Sequence, residues 1–169
     1  MHPEKLEQEL LAKGEIIILV MNNLYNQTDV EEILNRLENL TPDIQRQWGK
    51  MNIGQMLAHV NASLETAMGR NFPKRMFIGR IIGGFMKQKF LNEQPMTKNS
   101  PTDKNYVFTD TCDFEKEKTK AIELVKIFYN DGPSKCTTHP HSFFGKFTPK
   151  EWAILQWKHF DHHLRQFGA

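Results

Sequence analysis

The sequence predicts an all-α domain: a four-helix bundle with an additional crossing helix and long loops. Three observations favour it. Helix start signals recur along the chain, apolar residues follow them at helical spacing, and no segment shows the alternation of a competing strand. Amphipathic helices bury their apolar faces against one another, so a bundle is the architecture that fits.

The four bundle helices are expected over residues 28–40, 53–68, 113–130 and 149–167. Each begins at a residue whose side chain can accept a hydrogen bond from the first turn, namely Thr28, Asn52, Asp113 and Thr148. The last helix has the clearest start, because Pro149 follows at the first helical position and Glu151 completes a capping box.

A fifth segment, residues 74–92, is apolar and basic and is predicted to be a helix that crosses the bundle. Its apolar residues make a homodimer through this segment plausible. Long loops are expected over residues 93–112 and 131–147, with a short extended piece at residues 106–108.

The length of the chain suits one domain, with residues 1–20 as an N-terminal extension and residues 21–169 as the helical domain. The charge is nearly balanced, with 22 basic residues against 20 acidic ones, which gives no electrostatic reason to expect a nucleic-acid partner. The longest apolar run is too short to cross a membrane, so no membrane partner is expected. Two cysteines without metal-ligand spacing indicate free thiols and a cytoplasmic protein.

His159 and His163 lie one turn apart in the last helix. At 100° per residue they fall about 40° apart on one face, with Cβ atoms roughly 6 Å from each other. Trp152 and Leu155 share that face, so the pair is predicted to point into the bundle. A metal ion would keep two neighbouring buried rings neutral. A solvated edge favoured by the helix dipole explains the pair equally well when it is taken alone.

His59, at the margin of the apolar stripe of the second bundle helix, is the candidate third ligand. Three neutral nitrogen ligands would leave an open coordination position for water or a small-molecule substrate, which is typical of a catalytic metal site. Zinc or nickel is the expected divalent ion, although copper and iron also accept imidazole ligands. His141, in the loop before the last helix, is a candidate for contact with a cofactor or substrate.

Three stretches resemble a branch of the DinB/YfiT-like superfamily that is described only as a domain of unknown function. They are residues 48–59 (WGKMNIGQMLAH), 141–152 (HSFFGKFTPKEW) and 156–168 (QWKHFDHHLRQFG). The resemblance covers about residue 21 to the C-terminus. It implies an up-down-down-up four-helix bundle whose metal is bound by His59, His159 and His163.

The resemblance also implies a range of activities, because the superfamily includes metal-dependent hydrolases and enzymes that use low-molecular-weight thiols such as bacillithiol or mycothiol. The leading hypothesis is a metal-dependent enzyme that transfers such a thiol to an electrophilic substrate. Hydrolysis by metal-bound hydroxide ranks second, because Asp161 points away from the histidine face and no other general base is evident. A non-catalytic module that binds a metal or small molecule is the third hypothesis.

Overall fold

Five α-helices make up most of the part of the chain that the computed structural model describes, residues 21–169. They are α1 (Gln27–Glu38), α2 (Ile53–Ala67), α3 (Phe77–Phe90), α4 (Phe114–Asp131) and α5 (Pro149–Gln166). Residues 21–169 contain no strand, only an isolated bridge between His141 and Gly145. The all-helical prediction is therefore confirmed. The predicted extension at residues 1–20 lies outside the described residues.

The predicted N-caps of three helices are confirmed. In α2 the side chain of Asn52 accepts from the backbone N–H of Gln55, and the Gln55 side chain accepts from the Asn52 N–H, which forms a capping box. Thr148 and Glu151 form the same reciprocal pair at the start of α5. Asp113 caps α4. These side chains satisfy N–H groups that have no partner within the first helical turn.

The start of α1 differs from the prediction. The helix begins at Gln27, and the side chain of Asn26 accepts from the N–H of Asp29, while Thr28 lies exposed inside the first turn. Asp29 in turn accepts from the N–H of Asn23 at 2.8 Å. The acidic residue thus bridges the helix to the preceding turn. The cap at Asn26 starts the helix two residues earlier than the capping-box pattern indicated.

Four of the helices pack around one core. Each contacts two neighbours, in the order α1, α4, α2, α5 and back to α1, while α3 lies outside this ring. The core is filled by fully buried side chains, among them Ile33, Leu57, Leu64 and Trp152. Burying such aliphatic and aromatic side chains contributes about 1.5–3 kcal/mol each.

Helices α2 and α5 run antiparallel, and this pairing positions the histidines. The side chains of Ser63 and Gln156 hydrogen-bond at 3.1–3.2 Å near one end of the contact. At the other end Gln166 donates to the carbonyl of Trp48 at 2.8 Å. His59 lies between these two points and therefore faces the last turns of α5.

Helix α3 docks mainly on the loop that precedes α5. The guanidinium of Arg75 donates to the carbonyls of His141, Ser142 and Phe143 at 2.7–3.1 Å. Of the predicted extended piece at residues 106–108, Tyr106 instead ends a 3₁₀ turn (Lys104–Tyr106) capped by Asp103, whereas Val107 has an extended backbone. No helix within residues 21–169 combines the length and the apolar character that crossing a bilayer requires.

We predict that Asn26→Ala lowers the free energy of unfolding by about 1 kcal/mol, because it removes the acceptor for an N–H of the first turn. Thr28→Ala is the matched control and is expected to change it by less than about 0.5 kcal/mol. Urea titration of both variants measures the difference. A larger loss for Thr28→Ala than for Asn26→Ala would contradict the observed helix start.

Candidate metal centre

The three histidines predicted as ligands come together at the contact between α2 and α5. The ring centroids of His59, His159 and His163 form a nearly equilateral triangle with sides of 4.7, 4.7 and 4.8 Å. The rings are steeply inclined to one another, by 67–82°. One ligand nitrogen from each lies within 4.8 Å of the others, so the three are close enough to hold a metal ion.

The orientation of His59 is fixed by its other ring nitrogen. Nδ1 lies 2.8 Å from the carbonyl oxygen of Tyr106. A carbonyl can only accept, so Nδ1 carries the proton, and in the neutral ring Nε2 is left as a bare lone pair. His59 is buried, with 3% of its surface exposed. The sequence placed it at the margin of the apolar stripe, and the 3₁₀ turn at Tyr106 is what covers it.

His163 is oriented in the same way by a side chain on its own helix. Its Nδ1 lies 2.9 Å from Oε1 of Gln166. The Gln166 amide nitrogen is engaged with the carbonyl of Trp48, so Oε1 is the end that faces the imidazole. Nδ1 of His163 therefore donates, and its Nε2 also offers a lone pair.

His159 completes the group from one turn earlier on α5. Its Nε2 lies 2.8 Å from Nε2 of His59, and its Nδ1 is buried with no hydrogen-bond partner among residues 21–169. His159 is also the member of the group that stays partly exposed.

Burial keeps all three rings neutral. It lowers the pKa of His159 well below the usual value, and the neighbouring His59 and His163 lower it further. Burial, followed by the charge of His59, lowers the pKa of His163 to about 3. For His59, burial lowers the pKa against the opposing effect of its bond to Tyr106. Metals bind the neutral form of imidazole, so protons are expected to compete little with a metal ion for these rings near neutral pH.

The group contains no carboxylate within the described residues. Asp161, the acidic residue closest in sequence, forms ion pairs with Arg36 at 3.0 Å and Arg165 at 2.7 Å. A surface cavity of about 420 Å³ is lined by Asp161, Lys158 and Arg165 on the other side of α5 and by none of the three histidines.

His141 lies outside the group of three, and its predicted contact with a cofactor or substrate stays a prediction. Its Nδ1 accepts from the backbone N–H groups of Phe143 and Phe144 at 3.1 and 3.3 Å, so Nε2 carries the proton. Its ring packs 5.5 Å from the ring of Trp152. Burial lowers the pKa of His141 to about 4, so the ring is a neutral N–H donor.

Of the other histidines, His162 is buried beside the group, with its ring 4.9 Å from that of His163 and 5.9 Å from that of Trp48, and His139 is exposed. Within residues 21–169 neither of them, nor either cysteine, belongs to the group that could hold an ion. Cys112 and Cys136 are free thiols whose pKa values are raised by burial. They are therefore poor nucleophiles, in agreement with the prediction of free thiols.

Sequence reasoning missed the residues that orient the rings. Gln166 lies three positions after His163, a spacing that places two side chains on one helix face and could have indicated the contact. The Tyr106 carbonyl belongs to a loop turn, and no pattern in the sequence links it to His59. The hydroxyl of Ser142 donates to Asp103 at 2.7 Å, which joins this turn to the His141 loop.

A family model described as "Protein of unknown function (DUF1569)" matches residues 22–169. The chain belongs to the DUF1569 family. The match includes α1–α5 and all three histidines of the candidate metal centre. Searches of curated proteins and of solved structures gave no match to this DUF1569 protein.

We predict that titration of His141 destabilises the metal-free protein in acid. The unfolded chain binds this proton near the ordinary pKa of 6.5 and the folded chain only near 4, so the free energy of unfolding falls as the pH decreases through that window. In His141→Asn a carboxamide oxygen still accepts from Phe143 and Phe144 but cannot titrate. The stability of wild type relative to this variant should fall by about 3 kcal/mol from pH 6.5 to pH 4. Urea unfolding at each pH measures it, and a constant difference would contradict the burial of a neutral ring.

Proposed function

We propose that this DUF1569 protein is a divalent-metal-dependent enzyme of the DinB/YfiT-like type, with His59, His159 and His163 as the metal ligands. The observation that carries the proposal is the pair of Nδ1–H groups bound to the Tyr106 carbonyl and to Gln166 Oε1. These bonds leave Nε2 of His59 and Nε2 of His163 with free lone pairs, on rings that lie within reach of one ion. Histidine ligands of metals typically donate their second N–H to such an acceptor.

The dimensions of the group support an ion. Two imidazole nitrogens bound to one tetrahedral zinc lie about 3.3 Å apart when each bond is about 2.0 Å. His59 Nε2 and His159 Nε2 lie 2.8 Å apart, so binding an ion would open this pair by about half an ångström. Rotations of the side chains supply a change of this size without moving the helices.

The directions of the helices support the DinB-like arrangement. Tyr25 before α1 stacks on Phe128 near the end of α4, which makes these helices antiparallel. Asn61 of α2 donates to Glu117 of α4, and Glu65 pairs with Lys120, which makes those helices parallel. With α5 antiparallel to α2, the order of directions is up, down, down, up for α1, α2, α4 and α5.

Transfer of a low-molecular-weight thiol to an electrophile is the reaction we propose for this site. A divalent ion at three neutral imidazoles would hold the thiol as a thiolate at neutral pH in the remaining coordination position. The sulfur would then form a bond to the electrophilic carbon while the leaving group departs with its electron pair and the thiol proton passes to water. His141 offers its Nε2–H from the adjoining loop to a polar group of the thiol or the substrate.

Metal-dependent hydrolysis ranks below thiol transfer because enzymes that activate a metal-bound water usually also place a carboxylate base beside it. The group of three histidines contains no carboxylate within residues 21–169, and Asp161 is engaged by two arginines. Thiol transfer would need no such base, because a divalent ion held by the three histidines would favour the thiolate. A non-catalytic metal module would share the ligands but show no turnover.

We predict that the purified protein binds one zinc or nickel ion per chain and that alanine at His59, His159 or His163 weakens binding at least 100-fold. His139→Ala, an exposed loop histidine, is the matched control and should bind as wild type. Gln166→Leu should weaken binding by about 10–100-fold, as expected for a residue that orients a ligand. Competition with a chromophoric chelator measures these affinities. Wild-type affinity in any of the three alanine variants would contradict the assignment of that ligand.

We predict that the zinc or nickel protein conjugates a bacterial low-molecular-weight thiol to a model electrophile such as a chloro-dinitroarene. Removal of the metal should abolish the rate, and His141→Asn should raise KM more than it lowers kcat, because it removes a binding contact. Stopped assays of the thioether product measure both. If one metal ion is bound per chain but no thiol gives a metal-dependent rate, the non-catalytic binding module is favoured. If the same sample hydrolyses an ester, the hydrolase is favoured.

A further inference from the structure

Helix α3 has large apolar side chains on its exposed face and glycine on its buried face. Gly79 and Gly83 are buried against the loop before α5, where a Cβ on either residue would collide with the backbone of Phe143. The helix therefore docks by close approach of backbone to backbone. This contact covers the glycine side and leaves the bulky residues of the helix outside.

The outer face of α3 consists of five large apolar residues, namely Phe77, Ile78, Ile81, Ile82 and Phe85, which are 40–78% exposed. Phe77, Ile81 and Phe85 follow one another at intervals of four and so form a single stripe along the helix. Phe72, in the segment leading into α3, is a further exposed aromatic residue at 59%. A contiguous apolar surface of this kind marks an interaction site.

The segment that contains α3 is strongly basic. Residues 70–92 contain six basic residues and no acidic one. Two of them make contacts within the fold, since Arg75 donates to the loop carbonyls and Lys87 forms a salt bridge with Glu151 at 2.7 Å. The other four are exposed and form no salt bridge with any part of the chain between residues 21 and 169: Arg70, Lys74, Arg80 and Lys89.

We propose that the outer face of α3 docks on the surface of an anionic phospholipid bilayer. A helix that presents aromatic and branched side chains between cations is suited to lie in the interface, with its apolar stripe among the acyl chains and its cations at the phosphates. The ammonium of Lys89 already lies 4.8 Å from the ring centre of Phe85, so charge and apolar surface are adjacent. The metal centre takes no part in this binding.

A second copy of the chain fits this face less well. A two-fold contact through α3 would bring Arg80 and Lys89 of each copy together without a carboxylate from residues 70–92 to offset them. The outer face is also one helix wide, whereas a stable interface uses about 20–30 residues on each side. The expectation of no membrane partner rested on the absence of a segment long enough to cross a bilayer, and surface docking requires no such segment.

The test is co-sedimentation of the full chain with sucrose-loaded vesicles of phosphatidylcholine alone or with a third of the lipid replaced by phosphatidylglycerol. We expect binding to the anionic vesicles, little to the neutral ones, and loss of binding in high salt. Arg80→Gln with Lys89→Gln should weaken binding about thirtyfold, because each cation near an anionic surface contributes roughly fivefold. Ile81→Ser with Phe85→Ser should weaken it at least as much.

Ile127→Ser, at an exposed apolar position on α4, is the matched control and should bind as wild type. All the substituted residues are exposed, and unchanged circular dichroism and metal content will verify the fold. Equal binding to neutral and anionic vesicles, or no binding to either, would overturn the proposal. A dimer in sedimentation equilibrium that Ile81→Ser with Phe85→Ser dissociates, without vesicle binding by wild type, would assign the face to a second copy instead.

Discussion

Three imidazole rings meet at the contact between α2 and α5, and each of them must stay uncharged there. Burial and mutual repulsion lower the pKa of His159 and His163, so the apolar core tolerates the rings only as neutral groups. Neutral rings need partners for their N–H groups, and the Tyr106 carbonyl and Gln166 supply two of them. The 3₁₀ turn at Tyr106 and the end of α5 thus stabilise the neutral forms of His59 and His163.

The rest of the bundle holds this contact in register. Ser63 and Gln156 join α2 to α5 on one side of the histidines, and the bond from Gln166 to Trp48 joins them on the other. Capping boxes fix the beginnings of both helices, so the spacing of the rings along each helix is set by local sequence. The loops add a further contact, because Asp103 links the Tyr106 turn to Ser142 and so to the loop that contains His141.

The sequence predicted the helices well because their start signals act over three or four residues. Asn52, Asp113 and Thr148 cap their helices as expected, whereas Thr28 does not, since Asn26 caps α1 two residues earlier. The same distinction between local and distant contacts holds at the metal site. The spacing of His159 and His163 is a local pattern that the sequence shows directly. The burial of His59 depends instead on Tyr106, which lies 47 residues further along the chain. The exposed apolar surface of α3 depends on its glycines meeting Phe143, a contact that only the folded chain reveals.

X-ray absorption at the zinc edge tests the central claim most directly, because it counts imidazole ligands on the ion itself. The purified full chain, loaded with one equivalent of zinc, should give three imidazole nitrogens at about 2.0 Å and one further light atom. Addition of a low-molecular-weight thiol should replace that atom by sulfur at about 2.3 Å. A spectrum with one imidazole or none, or an ion coordinated mainly by oxygen, would contradict a metal centre built from His59, His159 and His163.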